Sequence, residues 1–279
     1  MRVFRVGAGA NIRGFRMSDF DRNAAAAQYG RPLTRAEAAV VDEGLRAYML
    51  RIYNYMVLGL AITGVAALGV YMLSVTTDPA LAVAKVRNIM LTNVGYALFV
   101  SPLKWAVILA PLALVFFLSF RIQNMRPATA QITFWIYAAL VGVSLGSIFL
   151  IYTHTSIVRV FFITAASFGA LSLWGYTTQR DLTGMGSFLI MGLFGIIIAS
   201  LVNIFLASTM MQWIISVVGV LVFAGLTAYD TQRLKNEYVY GAMDGEVMER
   251  SAIMGALSLY LDFLNLFTML LSLLGNRDE

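Results

Sequence analysis

The stretch from Ala252 to Gly275, AIMGALSLYLDFLNLFTMLLSLLG, decides how the rest of the chain is interpreted. It exceeds the roughly 20 mostly apolar residues that a helix needs to cross a bilayer. A carboxylate, Asp262, nevertheless lies in its middle. A charge at mid-membrane costs at least ~2.5–3.5 kcal/mol and normally faces a bundle interior or water. Steps of three and four residues form one small-or-polar stripe on a helix: Ser251, Gly255, Ser258, Asp262, Asn265, Met269 and Ser272. We therefore predict a central helix around which the others pack.

The composition predicts an all-α polytopic membrane protein. Of the 279 residues, 59% are hydrophobic and only 13% are charged, whereas soluble domains are roughly 25% charged. The chain has no cysteine and one histidine, His154, which excludes thiolate chemistry and histidine metal clusters. We expect no bound cofactor. The net charge is +5, but the basic residues gather at the ends of apolar runs, which indicates membrane orientation rather than nucleic-acid binding.

The chain divides into a tail of residues 1–48, a membrane domain of residues 49–275 and a short end of residues 276–279. The first part is rich in arginine and is interpreted as a cytoplasmic tail. No apolar core follows its first arginines, so it is no cleavable signal peptide. A mitochondrial transit peptide is the alternative, which its acidic residues disfavour. Thr34 followed by Glu37 is a capping box that predicts a short helix running towards the first span.

Seven apolar runs predict seven transmembrane helices with the last one central. They are residues 53–73, 105–120, 132–152, 157–176, 187–207, 213–229 and 252–274. A polar connection is predicted at 74–103 and a charged loop at 231–250. Gly142 and Gly146 in the third run form the GxxxG spacing that allows two membrane helices to approach closely.

The loop charges predict a cytoplasmic N-terminus. Alternate connections carry basic residues: Arg121 and Arg126, then Arg180, then Arg233, Lys235 and Arg250. The connections 153–156 and 208–212 carry none, although the 74–103 connection holds Lys85 and Arg87. By the positive-inside rule the basic connections are cytoplasmic. Seven crossings then place residues 276–279 outside.

Two carboxylates are the candidate functional residues. Asp230 ends the sixth run in LTAYDTQRLK, and Asp262 lies deeper, in the seventh. If they meet in a low-dielectric site, they cannot both ionise cheaply and would share one proton near some intermediate pH. That would make a pH sensor or a cation site. Asp230 and Asp262 can lie at the same depth in the membrane only if the seventh helix begins before its apolar part, at about 246–250.

Each candidate also has an ordinary structural interpretation. Asp230 alone could be a helix-end charge, and Asp262 could satisfy a hydrogen bond inside the bundle. Arg121, at the end of the second run, could neutralise either carboxylate or simply anchor its helix. If the site holds Ca²⁺, which takes oxygen ligands, the two aspartates would be joined by Thr227, Ser258 and Asn265.

The sequences LTAYDTQRLK at 226–235 and GALSLYLDFLNLFTMLLSLLG at 255–275 resemble the Bax inhibitor-1 family. The resemblance covers residues 45–275 and implies a bacterial inner-membrane member, with seven helices and the last surrounded by the other six. It implies a pH-sensitive leak of cations, with Ca²⁺ as the transported ion, in which Asp230 and Asp262 form the pH-sensing pair and Arg121 pairs with them. An acidic residue that some members carry in the second span has no match here.

Two other functions remain open from the sequence. Some bacterial relatives of the resembled family are thought to restrain a membrane-bound quality-control protease, so the chain could be an interaction protein that contacts such a partner. An intramembrane aspartyl protease also places two aspartates on neighbouring helices, but its second aspartate lies in Gly-x-Gly-Asp, whereas this chain has Leu259-Tyr260-Leu261-Asp262. We therefore expect that the chain is not an enzyme.

Overall fold

The computed structural model describes residues 35–86, 88–240 and 245–277, with the backbone alone for 35–40, 239 and 240. Eight α-helices and one small sheet make up this part of the chain. The helices are α1 Arg35–Ser74, α2 Asn93–Phe99, α3 Leu103–Arg121, α4 Pro127–Leu145, α5 His154–Thr177, α6 Thr183–Leu206, α7 Thr209–Tyr240 and α8 Gly245–Leu274. The strands are β1 Val75–Thr76, β2 Ala84–Val86 and β3 Ile89–Leu91.

Seven of these helices are long and apolar enough to cross a membrane, and the short α2 is not among them. The fold class predicted from the sequence is therefore confirmed. The first helix is longer than its apolar run: α1 continues without a break from Arg35 to Ser74. The Arg-rich residues 1–34, and with them the capping residue Thr34, lie outside the described residues.

The predicted charged loop at 231–250 is wrong for most of its length. The helix α7 continues to Tyr240 and α8 begins at Gly245. The reason is that these polar helix ends pack against α1 and each other. The Tyr48 hydroxyl and the Ser251 hydroxyl are 2.9 Å apart, and Ser251 donates to a Glu237 carboxylate oxygen at 2.6 Å. A hydrophobicity pattern detects the apolar part of such helices and misses their polar extensions.

The connection at 74–103 folds into an ordered cap. Its strands pair antiparallel in the order β1-β3-β2, and Thr92 caps the start of α2 by accepting a hydrogen bond from the Gly95 N–H. The C-terminal residues reach the loop between α4 and α5 through a bridge of Arg277 with Tyr152 and a hydrogen bond from the Asn276 N–H to Ser156.

The last helix, α8, lies at the centre of the bundle. It packs against α1, α4, α5 and α7, and the turn that follows α3 also contacts it. The helix α6 packs mainly on α7 and leaves most of its apolar surface exposed. The resemblance implied that all six helices surround the last one, and the structure differs from this at α6 and at α3, which contacts α8 mainly through the turn that follows it.

One polar junction joins α8 to α1 and α4. The Tyr260 hydroxyl lies 2.6 Å from the Thr63 hydroxyl, which also lies 2.9 Å from the carbonyl oxygens of Ala138 and Gly59. Gly142 lies beside this junction, and a Cβ built on it would be 2.5 Å from the Thr63 carbonyl oxygen. The close approach that the Gly142–Gly146 spacing predicted is thus confirmed, and the partner helix is α1.

Candidate functional site: a buried aspartate pair between α7 and α8

The antiparallel register of α7 and α8 brings the two candidate aspartates to one level. Ser216 donates to Ser272 at 3.0 Å near one end of the helix pair, and Ser251 donates to Glu237 at 2.6 Å near the other. Asp230 and Asp262 lie between these two contacts. The depth mismatch expected from the apolar runs disappears because α8 begins at Gly245, as the hypothesis of a pair required.

The carboxyl groups of Asp230 and Asp262 make a hydrogen-bonding contact with each other. Both are buried: Asp230 is 9% exposed and Asp262 is 5% exposed. The Oδ2 atom of Asp262 has no hydrogen-bond partner among the described residues. A buried acceptor without a partner is unfavourable by about 1–3 kcal/mol. This oxygen is therefore available to accept a hydrogen bond or to contact a cation.

The cation at the pair is Arg233. Its Nη2 atom lies 3.4 Å from Asp230 Oδ1, and it donates to the Ser258 hydroxyl at 3.3 Å. Arg233 is partly exposed, with 46% of its side chain accessible. It therefore covers the pair from the side that the loop charges predict to be cytoplasmic.

Arg121, the expected partner, is not brought to the pair in the described part of the chain. It is exposed at the end of α3, and among the described residues Asp230 forms its ion pair with Arg233. Sequence reasoning assigned Arg233 to a loop and so overlooked it. The signal was present, because Arg233 follows Asp230 by three residues, a spacing at which two side chains on one helix meet.

The three supporting residues have different roles. Thr227 is fully buried and donates to the Phe223 carbonyl of its own helix at 2.8 Å, and Asn265 donates to the Leu261 carbonyl at 2.9 Å. Ser258 accepts from Arg233. Over the described ranges, no group of three or more His, Asp or Glu side chains could hold a metal ion. A cation at this site would therefore be held by two carboxylates and weaker oxygen ligands.

Polar contacts hold α7 in place next to the pair. The Thr231 hydroxyl lies 2.9 Å from the Ser172 hydroxyl on α5, which also contacts the Tyr53 hydroxyl on α1. Gln232 accepts from the Leu182 N–H at 2.8 Å and donates to the Arg180 carbonyl at 2.7 Å. These contacts fix α7 to α5 and to the start of α6.

Comparison with known proteins supplies the family context. The family model described as inhibitor of apoptosis-promoting Bax1 matches residues 45–279. The chain is 44% identical to the inner membrane protein YbhL of Escherichia coli K12 over 236 residues, which cover 84% of this chain and 93% of that protein. It is 45% identical to a protein of Caulobacter vibrioides over 266 residues, 94% of this chain and 100% of the relative. A protein of Rickettsia prowazekii is 49% identical over 247 residues, 88% and 96% of the two chains.

Proposed function

The chain belongs to the Bax inhibitor-1 family, and from that premise we propose that it is a pH-sensitive cation leak that conducts Ca²⁺ and is gated by Asp230 and Asp262. One observation carries the proposal: two carboxyl groups touch while buried between two membrane-spanning helices, and one oxygen of Asp262 has no partner among the described residues. Since a relative with 44% identity is an inner membrane protein, we place the chain in a bacterial inner membrane, with its N-terminus in the cytoplasm.

The pair works as a switch because two carboxyl groups can share a hydrogen bond only while one of them keeps its proton. When the pH rises and that proton leaves, two like charges face each other in a poorly solvated place. Arg233, which contacts Asp230, offsets one of these charges, so the pair keeps a net negative charge. The resulting repulsion separates α7 from α8 or draws a cation between them.

Ca²⁺ fits this site as a passing ion rather than as a resident one. It takes six to eight oxygen ligands, whereas two carboxylates supply at most four oxygens. Ser258 and Asn265 lie one turn before and one turn after Asp262 on α8 and can supply further oxygens together with water. Weak binding suits conduction, because an ion that binds too tightly does not leave.

The test is Ca²⁺ uptake by proteoliposomes that contain only this protein, measured across a series of pH values. We expect uptake that varies with pH, and a flattened pH dependence in Asp230→Asn and in Asp262→Asn, because each substitution keeps the shape but removes one titrating group. Asp181→Asn is the matched control: Asp181 is an exposed carboxylate in the loop before α6, and its substitution should leave the profile unchanged.

Two outcomes would overturn the proposal. If both pair variants keep the profile of the unmodified protein, the aspartates are structural. If the protein alone carries no flux at any pH, the second function, an interaction protein that modulates a membrane-bound quality-control protease, becomes the better explanation.

A further inference from the structure

A groove between α1 and α5 lies apart from the aspartate pair. The two helices meet at the end where the Tyr53 and Ser172 hydroxyls touch, and both pack on α8. Beyond this contact, side chains of α1, α5 and α8 line a cavity of about 290 Å³. Its floor is α8, through Phe263 and Phe267, and its far wall is the turn that follows α4.

The lining of the groove offers nothing for a polar ligand. It consists of aliphatic and aromatic side chains, a glycine and Thr63, and the Thr63 hydroxyl is already used in its contacts with Tyr260 and Ala138. Apolar cavities of about 150 Å³ hold benzene and exclude water, so this one has room for a longer hydrocarbon. An empty groove would forfeit the dispersion contacts of its whole lining.

The mouth of the groove faces the membrane. Gly64 on one side and Val158 and Phe162 on the other are exposed, and both helices are membrane spans. Phe162 lies eight residues into α5, which is about 12 Å below the helix start at 1.5 Å per residue. That is the depth of acyl chains, not of headgroups.

The rim has the composition of a membrane interface. The His154 ring, at the first residue of α5, packs against Tyr71 at 5.2 Å and against Phe149, a lining residue, at 5.5 Å. Amphipathic aromatic rings are enriched at headgroup level, and both the His154 and Tyr71 side chains can donate hydrogen bonds to a phosphate. A phospholipid therefore fits with its headgroup at this rim and one chain below it.

We infer that the groove between α1 and α5 is a binding site for one acyl chain of a membrane phospholipid. The inference does not rest on the proposed leak, since neither Asp230 nor Asp262 lines the groove. Its occupant comes from the leaflet on the side of the α4–α5 loop and of the C-terminus.

The experiment is photo-crosslinking of the full chain in vesicles of phosphatidylethanolamine and phosphatidylglycerol that contain a phospholipid with a diazirine in mid-chain. Phe263 and Phe267 are 3% and 7% exposed, so a chain reaches them only from inside the groove. Phe188 and Phe205 on α6 are 71% and 88% exposed and report contact with bulk lipid. We expect crosslinks at all four positions.

Gly64→Trp supplies the decisive comparison. No atom lies within 4 Å of a Cβ built on Gly64, and Gly64 lines the groove, so an indole at this position would compete with the acyl chain for the groove. Crosslinks at Phe263 and Phe267 should fall several-fold relative to those at Phe188 and Phe205. Gly195→Trp on α6 is the matched control, since its Cβ position is equally open and outside the groove. Val158→Trp tests the opposite wall should the first variant not fold.

Two results would overturn the inference: no crosslink at Phe263 or Phe267 above that at the fully buried Leu259, or crosslinks there that Gly64→Trp and Val158→Trp both leave unchanged.

Discussion

Gly142→Ala should destabilise the protein although the new side chain is a single methyl group. A Cβ at this position would lie 2.5 Å from the Thr63 carbonyl oxygen and 2.7 Å from the Ala66 Cβ, whereas ordinary contacts begin at 3.4 Å. The helices α1 and α4 must therefore separate. Overpacking of this kind costs about 1–3 kcal/mol. The Thr63 hydroxyl contacts with Ala138 and Tyr260 would weaken as well, at about 1 kcal/mol each.

The opposing effect is small, because alanine gains about 1 kcal/mol over glycine in a helix. The net loss is then about 2–4 kcal/mol, which lowers the melting temperature by roughly 2–4 °C per kcal/mol for a chain of this size. The assay is thermal unfolding in detergent, with circular dichroism to check the helix content. Gly146→Ala should lower the melting temperature less, since its Cβ would be 3.3 Å from a flexible Val70 methyl. Gly195→Ala should not lower it, because no atom lies within 4 Å of a Cβ at that position. Equal melting temperatures of the Gly142 and Gly195 variants would refute the close contact of α1 and α4 as the cause.

Three further predictions follow from single contacts. Arg233→Gln should move the midpoint of the flux–pH curve to higher pH, because the ionised pair loses the guanidinium at 3.4 Å, while Arg121→Gln should not move it; the reverse result would restore Arg121 as the partner. Ala207→Gly should raise the unfolding free energy by about 1 kcal/mol, because Ala207 has a left-handed φ of 47°, whereas Ala199→Gly inside α6 should lower it. A C-terminal alkaline phosphatase fusion should be active outside the cytoplasm, while a fusion truncated after Arg180 should be inactive; activity in the truncated fusion alone would invert the topology.

The sequence predicts the seven spans because a membrane imposes a length and a polarity on every helix that crosses it. It also predicts the aspartate pair, since a carboxylate in an apolar stretch must face the interior. What it does not predict is decided by tertiary contacts. Residues 231–240 and 245–250 are polar, and they are helical because Tyr48 and the neighbouring helix pack on them. Arg233 reaches Asp230 because α7 continues as a helix past residue 229. The apolar run ends at that residue, so the sequence assigns Arg233 to a loop and not to the pair.

The two sites also share structural elements. Tyr260 and Asp262 lie on opposite faces of α8, since two residues correspond to 200° of helix rotation. Tyr260 fixes α8 to α1 and α4 through the Thr63 hydroxyl and through edge contacts with Phe134 and Tyr137. On the other face α7 is tied to α5 and to the start of α6 by Thr231 and Gln232.

Repulsion within the aspartate pair would act between α7 and α8, and α7 transmits it to α5 through the Thr231–Ser172 contact. The helix α5 is held to α1 at one end by the Tyr53–Ser172 contact, and the groove lies between the same two helices. Its floor residue Phe263 directly follows Asp262 and contacts Phe161 and Phe168 of α5 edge-on at 5.6 Å. A motion of α5 relative to α1 and α8 would change the width of the groove, and an acyl chain held there would oppose or favour that motion according to the width at which it packs.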